Sequence, residues 1–181
     1  MTRPAPQWIT RLTPVLTAAL LLTGCASKSE HPDSAGKPKH RDIPVQAEAD
    51  LFSAASRGDE TALEVLRDFA ESGYANAQWD VAMLYQHGFG VPKNLVEAVA
   101  WYRKAAEKGN LVAQESLGLM YEEGEGVPKD LVMAYMWVNL AAEQSEDKSG
   151  YANATRSDLE KQMTPDQIAK AQKLSREWKP K

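Results

Sequence analysis

Few residues in this chain suit covalent or acid–base chemistry. Cys25 is the single cysteine among 181 residues, and the three histidines are His31, His40 and His87. One thiol makes no intramolecular disulfide and no cysteine-rich zinc site. The sequence contains no H-E-x-x-H pair, no G-x-S-x-G elbow and no phosphate-binding glycine loop, which removes the zinc-peptidase, serine-hydrolase and P-loop arrangements. His31 and His40 fall in a stretch rich in Ser, Lys, Pro and Gly, where a histidine is more often solvated than metal-bound. His87 stands beside Gly88 at the end of an apolar helical pattern. There it suits the negative end of a helix dipole, whereas a general base would need a nucleophile and an orienting acid within reach. Glu122-Glu123-Gly124-Glu125 occupies the matching place in a second copy of that pattern. Its carboxylates oppose the helix dipole. The turn is either solvated or receives a basic partner or a divalent cation, although a calcium loop would be longer and richer in oxygen ligands. The expectation is therefore a non-enzyme without metal or cofactor, and binding is the chemistry that remains.

Charge and composition narrow the partner. With 21 Lys+Arg against 25 Asp+Glu the net charge is −4, which disfavours nucleic acid, usually met by a basic face. A hydrophobic content of 43% with five tryptophans supports a packed core, and the length suits one domain plus a tail. The composition is uneven along the chain. Residues 1–24 hold Arg3 and Arg11, no acid, and the apolar run Leu12–Thr23. That run is too short to span a bilayer, which takes roughly 20 apolar residues. A basic start before a short apolar run reads as a secretory signal. Its end, Leu22-Thr23-Gly24-Cys25, resembles a bacterial lipobox, and the only cysteine sits at the acylated position. The resemblance implies a mature chain starting at an acylated Cys25, anchored in the membrane because each buried CH₂ contributes about 0.8 kcal/mol. The next residue is Ala26, not Asp. By similarity to Gram-negative lipoproteins this implies the outer membrane, with the protein facing the periplasm. Residues 25–46 then form the acylated Cys and a linker without apolar periodicity. As a coil it reaches about 25 Å, and fully extended about 70 Å.

Any binding surface must be positioned by the elements of residues 47–181. Residues 75–110 superimpose on 111–146 at an offset of 36, with fifteen identical positions. Such a period signals stacked supersecondary units. Each unit reads as two helices. Ala77, Val81, Ala82, Leu84 and Tyr85 share one helical face, and Leu95, Ala98, Val99, Trp101, Tyr102 and Ala105 form the stripe of the next. Gly88 closes the first helix, Pro92 marks a turn, and Asn94 (Asp130 in the second copy) caps the next helix. Residues 47–74 form a degenerate cap unit with a short Arg57-Gly58-Asp59 turn. Residues 147–181 supply C-terminal capping helices, opened by the Thr164-Pro165-Asp166-Gln167 capping box. The expected fold is all-α, a solenoid of about eight helices.

The pattern A-x-A-Q, Y-x-x-G-x-G-V-P, A-x-x-W and A-A in residues 75–146 resembles the Sel-one-like repeats, relatives of the tetratricopeptide repeat. With the R-G-D-x-x-x-A-L and M-T-P-x-Q-I stretches, the resemblance spans about 47–178. It implies that the first helix of each unit lines a concave face that binds a protein or peptide. Positions on that helix outside the repeat pattern are the candidates: Trp79, Asp80, Met83 and Gln86 in one unit, and Glu115, Ser116, Leu119 and Glu122 in the next. An aromatic and a flexible Met beside carboxylates suit a peptide with apolar and basic side chains. The implied function is a membrane-anchored envelope adaptor. The alternative is a cell-wall protein, related to peptidoglycan or β-lactam handling, although family members with β-lactam activity are disulfide-rich and this chain is not. The acidic 122–125 turn is an alternative site. The sequence sets no partner identity and no oligomeric state.

Overall fold

The computed structural model describes residues 45–145 and 150–180. The signal run, the lipobox residues Leu22, Thr23 and Gly24, the acylation site Cys25 and nearly all of the linker lie outside the described residues. Within them the chain forms eight α-helices and no strand. They are α1 (Val45–Ser56), α2 (Glu60–Glu71), α3 (Ala75–His87), α4 (Leu95–Glu107), α5 (Leu111–Glu123), α6 (Leu131–Gln144), α7 (Tyr151–Gln162) and α8 (Pro165–Glu177). No helix among the described residues is long and apolar enough to cross a membrane.

Local chemistry sets the helix limits. The side chains of Asp59, Asn94, Asn110 and Asp130 each accept from a backbone N–H in the first turn of α2, α4, α5 and α6, at 2.9–3.2 Å. Thr164 and Gln167 close a reciprocal capping box at α8. Caps of this kind each contribute about 1 kcal/mol. Helices α3 and α5 end at Gly88 and Gly124 in the left-handed conformation.

Packing is modular. Successive helices pair as α1–α2, α3–α4 and α5–α6, and α2–α3, α4–α5 and α6–α7 join the pairs. Within α5–α6 the backbones approach closely at Gly118, where an added Cβ would lie 2.5 Å from Val138 Cγ2 and 3.1 Å from the Ala134 carbonyl. Two side-chain devices recur at the joints. Gln78 Nε2 donates to the Ala70 carbonyl at 2.9 Å, and Gln114 Nε2 donates to the Ala106 carbonyl at 3.2 Å. Each thereby adds a second bond to a helix-end carbonyl that already accepts from the following glycine, Gly73 N–H at 3.1 Å and Gly109 N–H at 3.0 Å. Arg67 donates to the Tyr85 hydroxyl, and Arg103 to the Tyr121 hydroxyl. The loop glycines press on the corner of the preceding unit. A Cβ at Gly90 would stand 1.9 Å from the Ala55 carbonyl oxygen, and one at Gly126 2.3 Å from that of Leu95. Both have positive φ, 67° and 69°, so glycine is required there on two counts.

The C-terminal end departs from this plan. Helix α8 packs chiefly on α6, and α7 packs on α6 from another side. Nine consecutive residues of α6, Ala134 to Ala142, are buried. Surface positions of α4 are converted to match: exposed Ala100, Arg103 and Lys104 correspond to buried Met136, Asn139 and Leu140. Asn139 donates to Ser175 Oγ at 3.0 Å and accepts from Arg156 at 3.1 Å. Trp178 meets Trp137 edge-on at 6.0 Å.

Candidate functional site

The first helices of the units lie beside one another. Helix α1 packs on α3. Asn110 Nδ2, at the head of α5, donates to Asn76 Oδ1 on α3 at 3.1 Å. Gln162 Nε2, at the end of α7, donates to Glu122 Oε1 on α5 at 2.9 Å. The face so formed is acidic on its first three helices. Helices α1, α3 and α5 carry Glu48, Asp50, Asp80, Glu115, Glu122 and Glu123 and no Lys or Arg. The basic residues of the neighbouring second helices are Arg67 on α2 and Arg103 and Lys104 on α4. Lys104 lies over the Trp101 ring, 3.6 Å from its centroid.

Five of the eight candidates fall into three groups. Asp80 belongs to the first. It is buried, with 8% of its surface exposed, where the sequence suggests an accessible carboxylate. Burial first, and the Glu48 charge second, push its carboxyl up to about 7. Glu48 is itself raised by burial, less a hydrogen bond with Asn76. Gln86 and Ser116 form the second group. The Tyr102 hydroxyl reaches through from α4, donates to Gln86 Oε1 at 2.6 Å and has a hydrogen-bond contact with Ser116. Burial drives the Tyr102 hydroxyl well above its ordinary range. These two candidates from different units thus share one partner. In the third group, Glu115 and Glu122 are engaged by α7. Glu115 is raised by burial and held by a backbone hydrogen bond at Ala152, and Glu122 accepts from Gln162. Met83 and Leu119 are half-buried.

Trp79 differs from the expectation of a free aromatic anchor. Its ring packs against the core, and its buried indole N–H has no hydrogen-bond partner. Its alignment with Glu115 places it outside the repeat pattern, yet the α3 helix turns much of it inward. In the acidic turn, Glu123 and Glu125 are exposed. No group of three or more His, Cys, Asp or Glu among the described residues is disposed to hold a metal ion. His87 is exposed and stacks on Phe89, with ring centroids 5.2 Å apart.

Sequence patterns do not single out Glu48, Asn76, Asn110 or Tyr102 as site residues. Glu48 escapes because the cap unit aligns with the repeats through its second helix, and the shorter turn at Gly58 breaks that register for α1. Shifting α1 forward to restore the register sets Glu48 beside the start of α3.

Comparison with known proteins agrees with this architecture. The Sel1 repeat family model matches residues 75–110 and 111–146. No curated protein matches the chain. Among solved structures, a protective antigen of uropathogenic Escherichia coli strains with an SLR fold is 32% identical, with a TM-score of 0.67. The match covers 74% of this chain and 28% of that one. A Sel1 repeat protein from Oxalobacter formigenes is 33% identical with a TM-score of 0.54, covering 61% of this chain and 47% of that one. The chain therefore spans less than half the length of either. The chain thus carries two Sel1 repeats and shares its all-α solenoid fold with solved proteins of that repeat class.

Proposed function

We propose that the protein is a non-catalytic adaptor that docks a basic polypeptide segment on the face built from α1, α3 and α5. The observation that carries this reading is the charge of the helices that build that face: six carboxylates and no Lys or Arg on three adjacent helices. Charge of one sign steers an oppositely charged partner and disfavours others. Half-buried Met83 and Leu119, on α3 and α5, supply apolar contact on the same helices. Sel1-repeat solenoids generally bind proteins, which supports the same reading. The lipobox-like Leu22-Thr23-Gly24-Cys25 supports attachment to the bacterial envelope through acyl chains on Cys25, with the solenoid tethered near the membrane in the periplasm.

Photocrosslinking in intact cells tests the docking face. Met83 is the site for the crosslinker, because it lies on α3 without being fully enclosed. Val96, 65% exposed on α4, is the control. The expected result is a protein adduct from Met83 and none from Val96, with the crosslinked peptide rich in Lys or Arg. Adducts to peptidoglycan fragments, or equal adducts from both positions, would overturn the adaptor reading.

A further inference from the structure

We propose that Asp80 and Glu48 together seat one cationic nitrogen, the ammonium of a lysine side chain on the docked polypeptide. This rests on the reading of the α1–α3–α5 face as a docking surface for a basic segment. Two acids near each other would by themselves be a solvated pair. Asp80 is different because only 8% of its surface is exposed and no described side chain or backbone group bonds to it, while its oxygens are not among the fully enclosed unpaired atoms and so stay open to an incoming donor. Buried polar groups are ordinarily paired, and a buried carboxylate without a donor is costly.

The elements packed around α3 offer nothing to neutralise it. From α1 comes Glu48, of the same sign. From α2 comes Arg67, which is spent on the Tyr85 hydroxyl and ring. From α4 comes Tyr102, whose hydroxyl goes to Gln86. From α5 come Asn110, bonded to Asn76, and Glu115, turned to Ala152. None of the described residues supplies its counter-charge.

The chemistry of the seat selects the cation. Two carboxylates without a third acidic or imidazole ligand are too few for a divalent metal site. A guanidinium fork is matched by the two coplanar oxygens of one carboxylate, whereas a seat shared between carboxylates on two helices asks for donors that diverge. An ammonium carries three donors with no preferred plane, on a slender stem. Met83 lies about one turn beyond Asp80 on the same helix and can line that stem. The raised Asp80 carboxyl fits this reading, since an incoming cation draws off its proton. Affinity should then rise as pH climbs from about 6 to about 8.

The test is calorimetric titration of the full chain, in detergent, with a hexalysine peptide. It is run at about pH 7 in two buffers of different ionisation enthalpy, and repeated with Asp80→Asn, Glu48→Gln and Glu64→Gln. Glu64 is an exposed acid on α2, so its variant matches the charge change away from the seat. The expected result is binding with proton release, weakened about tenfold by Asp80→Asn, about threefold or more by Glu48→Gln, and less than about twofold by Glu64→Gln. Equal weakening by all three variants would reduce the effect to the general acidic field and overturn the seat. Absence of hexalysine binding, absence of proton release, or equal binding of hexa-arginine would also overturn it. Photocrosslinks from Met83 that persist in the Asp80→Asn background would leave the docking surface standing while removing the seat from it.

Discussion

At the scale of single residues, Asp80 works against the fold that holds it. An acid whose pKa is raised on folding binds its proton more tightly folded than unfolded. Its effect on stability is absent at low pH and turns unfavourable as pH rises from the ordinary carboxylate value near 4 to about 7. Asp80→Asn is isosteric and cannot ionise. It should raise the stability at about pH 8 by roughly 1–3 kcal/mol, read as a higher melting temperature, and change it little at about pH 3, where the carboxyl is protonated both folded and unfolded. A variant that is stabler but no longer binds a cation separates function from folding at one position. Equal changes at both pH values would show that the side chain is not titrating in this range. The loop glycines make the opposite prediction. Gly126→Ala adds a Cβ that would stand 2.3 Å from the Leu95 carbonyl oxygen, at a φ of 69°. It should destabilise the protein by about 2 kcal/mol or more, read as a shift in urea midpoint. Gly58, with nothing within 4 Å of an added Cβ, should cost less when changed to Ala.

At the scale of elements, α6 and α8 show how far the sequence can be read. The two-helix units, the Asn94, Asp130 and Thr164 caps and the inward Trp101 and Trp137 are all written in local patterns: a period of 36, helical spacing and capping residues. Pattern also marks α8 as amphipathic, through Ile168, Ala171, Leu174 and Trp178. It does not say which helix that face covers. Met136, Asn139 and Leu140 replace Ala100, Arg103 and Lys104 of the previous repeat. Those replacements mark the extra buried side of α6, but only a folded chain shows α8 lying on it. The candidate site is legible to a similar depth. Helix spacing puts Asp80, Met83 and Gln86 on the first helix of the unit, while the approach of Glu48 across α1–α3 and of Tyr102 from α4 depends on tertiary packing. One prediction belongs here. Trp178→Ala removes the ring that meets Trp137 at 6.0 Å. Because Trp178 is only half-buried, the cost should be about 1–3 kcal/mol. Protease cleavage should then begin in α8 and spare α3–α5. Cleavage starting in α1 instead would show that α8 does not seal the array.

At the scale of the whole molecule, the proposed acyl tether makes a prediction about distribution. Cys25→Ser should abolish lipid labelling and move the protein from the membrane to the soluble fraction, with the helical content unchanged by circular dichroism. Unchanged membrane retention would remove the acyl anchor from the account. The joints between units have a longer-term consequence. The cap-to-first-repeat joint and the first-to-second-repeat joint use the same pair of contacts, Gln78 with Ala70 and Arg67 with Tyr85, then Gln114 with Ala106 and Arg103 with Tyr121. Beyond α6 neither recurs among the described residues, because α8 has taken its outer side. The array is therefore open to gene duplication in its middle and closed to it at its C-terminal end. A copy of residues 75–110 inserted after Asn110 would meet matching joints on both sides, whereas the same copy inserted after Gln144 would find its place occupied. Descendants of this sequence can lengthen like a chain of identical links, but only ahead of the clasp.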